Sequence, residues 1–249
     1  MTRIPLIVMA LAGFVSTAWP RDLVQKVAAQ YPIRALDRGI EGWVEVSFSI
    51  RPDGTVFEPK VVAARPPGTF DKSALVAVSK WRYAPTGGDT ETASTVVTFS
   101  ALSSGAARAP VMDQLTAAAR AVQSSRPADA EKAIADIEDM GGLTLVELVA
   151  LERVQAAIDY RASRFAVAAV RFNRILEMFG DRMEPRAVAI ILESLIPAHI
   201  NAGNFAAADR TATRWLADGE QLSPQIESTL VAIRAALAEG RPIRVTPPP

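Results

Sequence analysis

The run from Trp43 to Ile50 alternates without a break between two classes of side chain, and this period of two constrains the fold more than any other feature. The first class is apolar and consists of Val44, Val46, Phe48 and Ile50. The second class begins with a tryptophan and continues with polar residues: Trp43, Glu45, Ser47 and Ser49. Successive side chains of a strand point to opposite faces of a sheet. The run therefore predicts a strand that is buried on one face.

A turn follows this strand at Pro52, Asp53 and Gly54, where the glycine tolerates a positive φ. The turn predicts a hairpin whose second, antiparallel strand covers residues 55–64. Pro59 lies inside that second strand and cannot donate a hydrogen bond to the ladder, so we expect a bulge or an edge position there.

Other short elements frame the hairpin. Residues 21–29 suggest a short helix or a lead-in, residues 33–38 allow a short helix, and residues 70–81 carry apolar side chains at helical spacing. A third strand is expected where β-branched residues are frequent and charges are absent, at Thr95, Val96, Val97, Thr98, Phe99, Ser100, Ala101 and Leu102. The order of elements predicts a small α+β domain over residues 24–102, with a three-stranded antiparallel sheet and two helices.

Beyond Pro110 alanine and leucine dominate and no strand pattern remains. Seven helices are predicted, at residues 111–124, 128–140, 145–160, 165–179, 186–201, 205–217 and 224–238. A weak repeat aligns Pro127, Phe165 and Phe205, each followed three places later by an alanine that would let paired helices approach closely. Hairpins of this kind bury their apolar faces only by stacking, so residues 111–240 are predicted to form an all-α helical-hairpin array.

The two ends of the chain differ from both regions. A positive start, an apolar run and small residues up to Ala18 predict a signal peptide at residues 1–18, with an uncleaved membrane anchor as the alternative. Cleavage would deliver a periplasmic protein. Residues 103–110 are small and predict a linker, and the proline-rich tail at residues 241–249 is expected to be disordered or extended.

The amino-acid composition narrows the range of chemistry that this chain could perform. The sequence contains no cysteine and one histidine, His199, and its charges balance, so thiol chemistry, disulfides and a nucleic-acid partner are not expected. Phosphate loops, nucleophile elbows and metalloprotease helices are absent from the sequence. We therefore predict no enzyme activity, no metal and no cofactor, and interpret His199 as a packing or surface residue rather than a general base.

Two further sets of residues have a functional and a structural interpretation. The aromatic residues Tyr31, Trp43, Trp81 and Tyr83 are candidates for ligand stacking, but aromatics that frame a small sheet are more often core. Between residues 152 and 186, several arginines are interspersed with acidic residues. We interpret these residues as a solvated charge network rather than as a site for acidic ligands.

The first region resembles the C-terminal domain of the TonB energy-transducer family. The residues that carry the resemblance form an ordered set: Tyr31, Pro32, Gly42, Asp53, Gly54, Phe70, Trp81, Tyr83 and Pro85. The resemblance implies a three-stranded antiparallel sheet with two helices against one face. Residues 111–240 are similar, more weakly, to tetratricopeptide-type helical arrays, which hold peptides in a groove.

The resemblance also implies a function. Members of the TonB family bind extended segments of outer-membrane receptors by adding a strand to their own last strand, which here would be the edge at residues 95–102. By the same resemblance Gln30 would contact the receptor, and the helical array would hold a second protein or peptide. The resulting hypothesis is a periplasmic, non-catalytic interaction protein. The alternatives are a membrane-anchored accessory of receptor transport and, on location alone, an enzyme that acts on envelope polymers.

Overall fold

The computed structural model of the chain describes residues 22–86, 88–100, 107–179, 183, 185–217, 222–239 and 243. Within these residues, no helix is both long enough and apolar enough to cross a bilayer. The predicted signal peptide lies outside the described residues, as do residues 103–106 of the predicted linker and all of the predicted tail except Ile243.

Five strands and two short helices build the first region. They are, in chain order, β1 (Leu23–Gln25), α1 (Ile33–Leu36), β2 (Gly42–Ile50), β3 (Val56–Arg65), α2 (Asp71–Val78), β4 (Arg82–Tyr83) and β5 (Glu91–Phe99). β2 is the central strand of an antiparallel sheet ordered β3-β2-β5, and β1 pairs with β4 in a small second sheet. The three-stranded antiparallel sheet predicted from the sequence is confirmed.

β5 occupies a different range from the predicted third strand. It begins at Glu91 rather than Thr95 and ends at Phe99, while residues 101–102 lie outside the described residues. β5 pairs along the whole of β2, from Glu91 opposite Ile50 to Phe99 opposite Gly42. The uncharged β-branched run marks only the second half of this strand, because pairing with β2 rather than residue preference decides where β5 begins.

The two-stranded sheet differs from the sequence prediction at both of its strands. β1 lies in the segment that suggested a short helix or a lead-in, and β4 lies just beyond the predicted end of the second helix. α2 ends at Val78, and the indole Nε1–H of Trp81 donates to the carbonyl of Val27 at 2.9 Å. That bond ties the segment before β4 to the segment after β1, so residues 81–83 are extended rather than helical.

An apolar core fills the space between the three-stranded sheet and the two helices. The apolar face of β2 contributes all four of its predicted side chains, and Phe70, Ala74, Val78, Trp81, Tyr83 and Phe99 pack against them. Phe70 stacks on Phe99 with ring centroids 4.2 Å apart, and Tyr31 meets Phe70 edge to face at 5.5 Å. Tyr31, Trp81 and Tyr83 therefore belong to this core, as expected.

The hairpin between β2 and β3 follows the sequence closely. Asp53 accepts the backbone N–H of Thr55 at 2.9 Å, and Gly54 has a φ of 84°, where a Cβ would collide with the carbonyl of Tyr83. The pairing of β3 shifts register around Pro59, and Glu58 has a φ of 49°. β3 is an edge strand with a bulge, which confirms both features expected from the proline.

The second region is a series of helical hairpins. Its helices are α3 (Ala109–Gln123), α4 (Pro127–Met140), α5 (Leu145–Arg161), α6 (Phe165–Phe179), α7 (Pro185–Asn201), α8 (Phe205–Ala217) and α9 (Pro224–Ala238). All seven lie within two residues of the predicted ends. The alanines of the repeat, Ala130, Ala168 and Ala208, are fully buried. They lie one turn into α4, α6 and α8, where a larger side chain would hold the paired helices apart.

Candidate partner-binding edge

β5 is the strand at one edge of the three-stranded sheet, so one row of its backbone groups faces away from β2. The N–H of Val96 belongs to this outer row, because it donates to a side chain outside the sheet. Backbone direction alternates along a strand, so the N–H groups of Thr95, Val97 and Phe99 face β2. The outward-facing row of backbone groups on β5 is therefore carried by Val96 and its alternate neighbours, such as Ser94 and Thr98.

The outer edge of β5 is in contact with the helical region. The backbone N–H of Val96 donates to Oε2 of Glu177, on α6, at 2.7 Å. Part of the Glu177 side chain is solvent-exposed, whereas its carboxylate lies against the sheet. The pKa of Glu177 is raised to about 7, chiefly by desolvation and also by the Glu45 carboxylate, while the hydrogen bond from Val96 and the charge of Arg174 oppose the rise.

Arg174, one turn before Glu177 on α6, links the helical region to the face of the sheet opposite the apolar core. Its guanidinium donates to Glu45 on β2 at 2.6 Å and to Glu152 on α5 at 2.9 Å. It also lies over the ring of Trp43, 4.3 Å from the centroid. One buried arginine thus joins three elements through two carboxylates and an aromatic face.

Trp43 is only 1% exposed, and it packs into the core of the helical region together with Leu145, Leu148 and Phe172. Ala63 of β3 and Val96 of β5 also pack against this core. The prediction that the strand is buried on one face is therefore wrong for this end of β2, because the helices cover the second face. The indole Nε1–H of Trp43 is buried and has no hydrogen-bond partner among the described residues.

Four charged residues of α5 and α6, Glu152, Asp159, Arg171 and Arg174, form a mostly buried network, so the sequence interpretation of a solvated network is wrong for them. It holds for Arg153, Arg161 and Arg164, which are exposed. Glu152 is fully buried and also binds Arg171, at 3.1 Å, while Arg171 binds Asp159 at 2.8 Å. From β3, Arg65 binds Glu138 on α4 at 2.8 Å. Sequence reasoning missed this interface, and the one local signal for it was a tryptophan on the otherwise polar face of β2.

A further contact joins the two regions at the start of α5. Glu41, directly before β2, accepts the backbone N–H of Leu145 at 2.7 Å and so caps the helix. Within the helical region, Thr144 and Glu147 form a capping box at the same helix end. α5 is therefore fixed at its first turn by both regions.

The motif residues of the sequence lie around the sheet, and most of them are structural. The hydroxyl of Tyr31 donates to the carbonyl of Ile40 at 2.5 Å, and a Cβ at Gly42 would collide with the carbonyl of Arg65. Pro32 precedes α1 in extended geometry, and Pro85 is exposed after β4. Gln30 is also exposed, beside the segment that leads into α1.

His199 is buried in α7, which agrees with its interpretation as a packing residue. Burial lowers the pKa of His199 to about 4, and the nearby positive charge of Arg210 adds to this effect. Its Nε2 lies 3.5 Å from the side-chain nitrogen of Asn173. In the described part of the chain, no group of three or more histidine, aspartate and glutamate side chains is arranged to hold a metal ion.

The fold is a small α+β domain whose three-stranded sheet has β5 at one edge. Residues 27–100 match the family model for the Gram-negative bacterial TonB protein C-terminal. The protein TonB of Escherichia coli K12 is 41% identical over 56 residues, and that of Pseudomonas aeruginosa PAO1 is 42% identical over 55 residues. This part of the chain is therefore a TonB C-terminal domain.

The similarity is confined to part of each protein. Each of the two matches covers 22% of this chain, and they cover 23% and 16% of the relatives, so the chain spans no more than about a quarter of their length. The solution structure of the Pseudomonas aeruginosa TonB C-terminal domain is 32% identical, with a TM-score of 0.30, over 32% of this chain and 86% of that one. A Helicobacter pylori TonB C-terminal domain is 34% identical, with a TM-score of 0.25, over 29% and 79%.

Proposed function

We propose that this chain is a non-catalytic protein-interaction protein of the cell envelope, which binds an extended segment of a partner by strand addition to β5. The observation that carries the proposal is the outward N–H of Val96, at the edge of a sheet whose domain belongs to the TonB C-terminal type. A partner carbonyl would accept this N–H and continue the ladder of the sheet.

The chemistry of the edge suggests what such a partner looks like. From Thr92 to Phe99 the strand carries no charge, so the partner segment would be extended, mostly uncharged and without proline at the paired positions. A segment of a TonB-dependent outer-membrane receptor fits this description. Gln30, exposed and adjacent to the motif, is proposed as a side-chain contact to the receptor.

The location of the protein follows from the N-terminal prediction. Cleavage after Ala18 would release the chain into the periplasm, where receptor segments are accessible. Mass spectrometry of the mature N-terminus distinguishes this from an anchored accessory, since a free N-terminus at Trp19 excludes anchoring by the preceding segment. The tetratricopeptide resemblance of α3–α9 remains a prediction, and so does a second partner for these helices.

Strand addition is tested by photo-crosslinking from the edge. A photo-reactive amino acid is placed at Thr92, which is exposed on β5, and a matched one at Lys60, which is exposed on β3 at the opposite edge. In the bacterium that makes the chain, we expect Thr92 to crosslink a short stretch of one partner and Lys60 to crosslink none of it. Equal crosslinking from both edges would contradict the proposal.

A further inference from the structure

We infer that the helical region is an internal competitor for the binding edge: α6 covers β5 through Glu177, and a partner strand adds only when this contact opens. The inference rests on the proposed strand addition and concerns its regulation. Its basis is that one backbone group, the N–H of Val96, cannot donate at full strength to both Glu177 and a partner carbonyl.

The contact extends beyond one hydrogen bond. Val96 packs against the core of the helical region. Three positions before Glu177 on α6, the Arg174 guanidinium is held by Glu45, the residue of β2 opposite Val96, and lies over the ring of Trp43. A strand added to the outer edge of β5 would lie about 5 Å from it, which is space taken by the Glu177 side chain. The helical region and a partner strand therefore exclude each other sterically as well as through the shared N–H.

The chemistry of the interface is suited to opening. Buried ion pairs such as Arg174 with Glu45 and Glu152 determine geometry more than they add stability, because desolvation offsets much of their attraction. The unpaired indole N–H of Trp43 also disfavours the docked state. The side chain of Glu177 is partly exposed, so its carboxylate can return to water when a partner carbonyl replaces it.

The covering contact also bears on what the helical array binds. The face formed by α5 and α6 already has an occupant, which is the outer face of the sheet in the same chain. Release of the helices would expose Trp43 and Glu45 together with the edge of β5. A partner could then add its strand at the edge and pack side chains on the uncovered face.

The test uses the full chain and two readouts. Glu177→Ala removes the acceptor from the edge, and Glu193→Ala, an exposed glutamate on α7, is the matched control. Hydrogen exchange of the Val96 amide, followed by NMR, reports opening of the contact without any partner. Crosslinking from Thr92 in cells reports access to the edge. We expect Glu177→Ala to speed exchange at Val96 about threefold to tenfold, to leave Val44 in β2 unchanged, and to increase the crosslinked partner.

The results of these two measurements distinguish the covering contact from the strand addition that it would regulate. Unchanged exchange at Val96 in Glu177→Ala would overturn the inference, whatever partner is found. Faster exchange with equal crosslinking in wild type and variant would also overturn it, because opening would then not limit access. Faster exchange with no crosslink in either chain would uphold the covering contact and overturn strand addition. A second variant, Glu177→Gln, keeps an acceptor oxygen for the Val96 N–H and should therefore keep the slow exchange of the wild type.

Discussion

Both faces of β2 are covered at its Trp43 end, but by different chemistry. On one face Val44, Val46, Phe48 and Ile50 pack into an apolar core with aromatic rings. On the other face, Arg174 of the helical region lies over Trp43 and binds the carboxylates of Glu45 and Glu152. The indole N–H of Trp43 has no hydrogen-bond partner among the described residues. The first face holds the TonB C-terminal domain together. The second has the composition of an interface between regions, where specific geometry matters more than area.

The largest expected effect lies on the apolar face. Phe70→Ala removes a fully buried ring that contacts both Phe99 and Tyr31, so we expect the free energy of unfolding to fall by about 4 kcal/mol. Denaturant unfolding followed by tryptophan fluorescence measures it. Val76→Ala, at an exposed position of α2, is the control and should cost less than about 0.5 kcal/mol. A loss below about 1 kcal/mol for Phe70→Ala would show that this face does not hold the domain together.

The second largest expected effect is a pH-dependent loss of stability in the helical region, caused by His199, the only histidine of the sequence. Burial lowers the pKa of His199 to about 4, so the unfolded chain binds a proton near pH 6.5 that the folded chain does not. Stability is therefore lost as the pH falls from about 6.5 to about 4, by roughly 2 to 3 kcal/mol. Unfolding curves across this range should show the loss in wild type and not in His199→Gln. Parallel curves for the two chains would contradict the buried, neutral imidazole.

A smaller effect is expected at the charged face, where a double-mutant cycle measures the coupling between Arg174 and Glu45. Both side chains are mostly buried, 9% and 14% exposed, and we expect a coupling free energy of about 1.5 kcal/mol. The control pair, Arg126 and Asp129, is 61% and 59% exposed and should couple by about 0.3 kcal/mol. Equal coupling in the two cycles would mean that the helices do not dock on the sheet as described.

Much of the fold could be predicted because its signals are local. The alternation of β2, the Asp53-Gly54 turn and the alanines of α4, α6 and α8 each act within a few residues of their own position. β1 and β4 were missed because strands of two or three residues carry no periodicity. The interface was missed because Glu45 and Arg174 are far apart in sequence, and residue pairing at that separation leaves no pattern in a single chain.

The candidate site could be predicted only in part, for the same reason. The sequence indicated an uncharged last strand and, by resemblance, its use as a binding edge. The direction of each backbone N–H depends on the register between β5 and β2, which the sequence does not encode locally. Proline at Val97 would not block the edge, because the N–H of Val97 faces β2 and its loss would damage the sheet instead.

The most direct test of the account is therefore a comparison of Val96→Pro with Val97→Pro. Proline at Val96 removes the outward donor and the valine side chain that packs on the helical core, but it leaves the ladder bonds to β2 in place. In the Glu177→Ala background the chain should therefore keep its thermal unfolding temperature within a few degrees and lose the partner crosslinked from Thr92. Proline at Val97 removes a ladder bond to β2 and should lower the unfolding temperature markedly. If Val96→Pro folds and still crosslinks the same partner as its parent, strand addition to β5 is wrong.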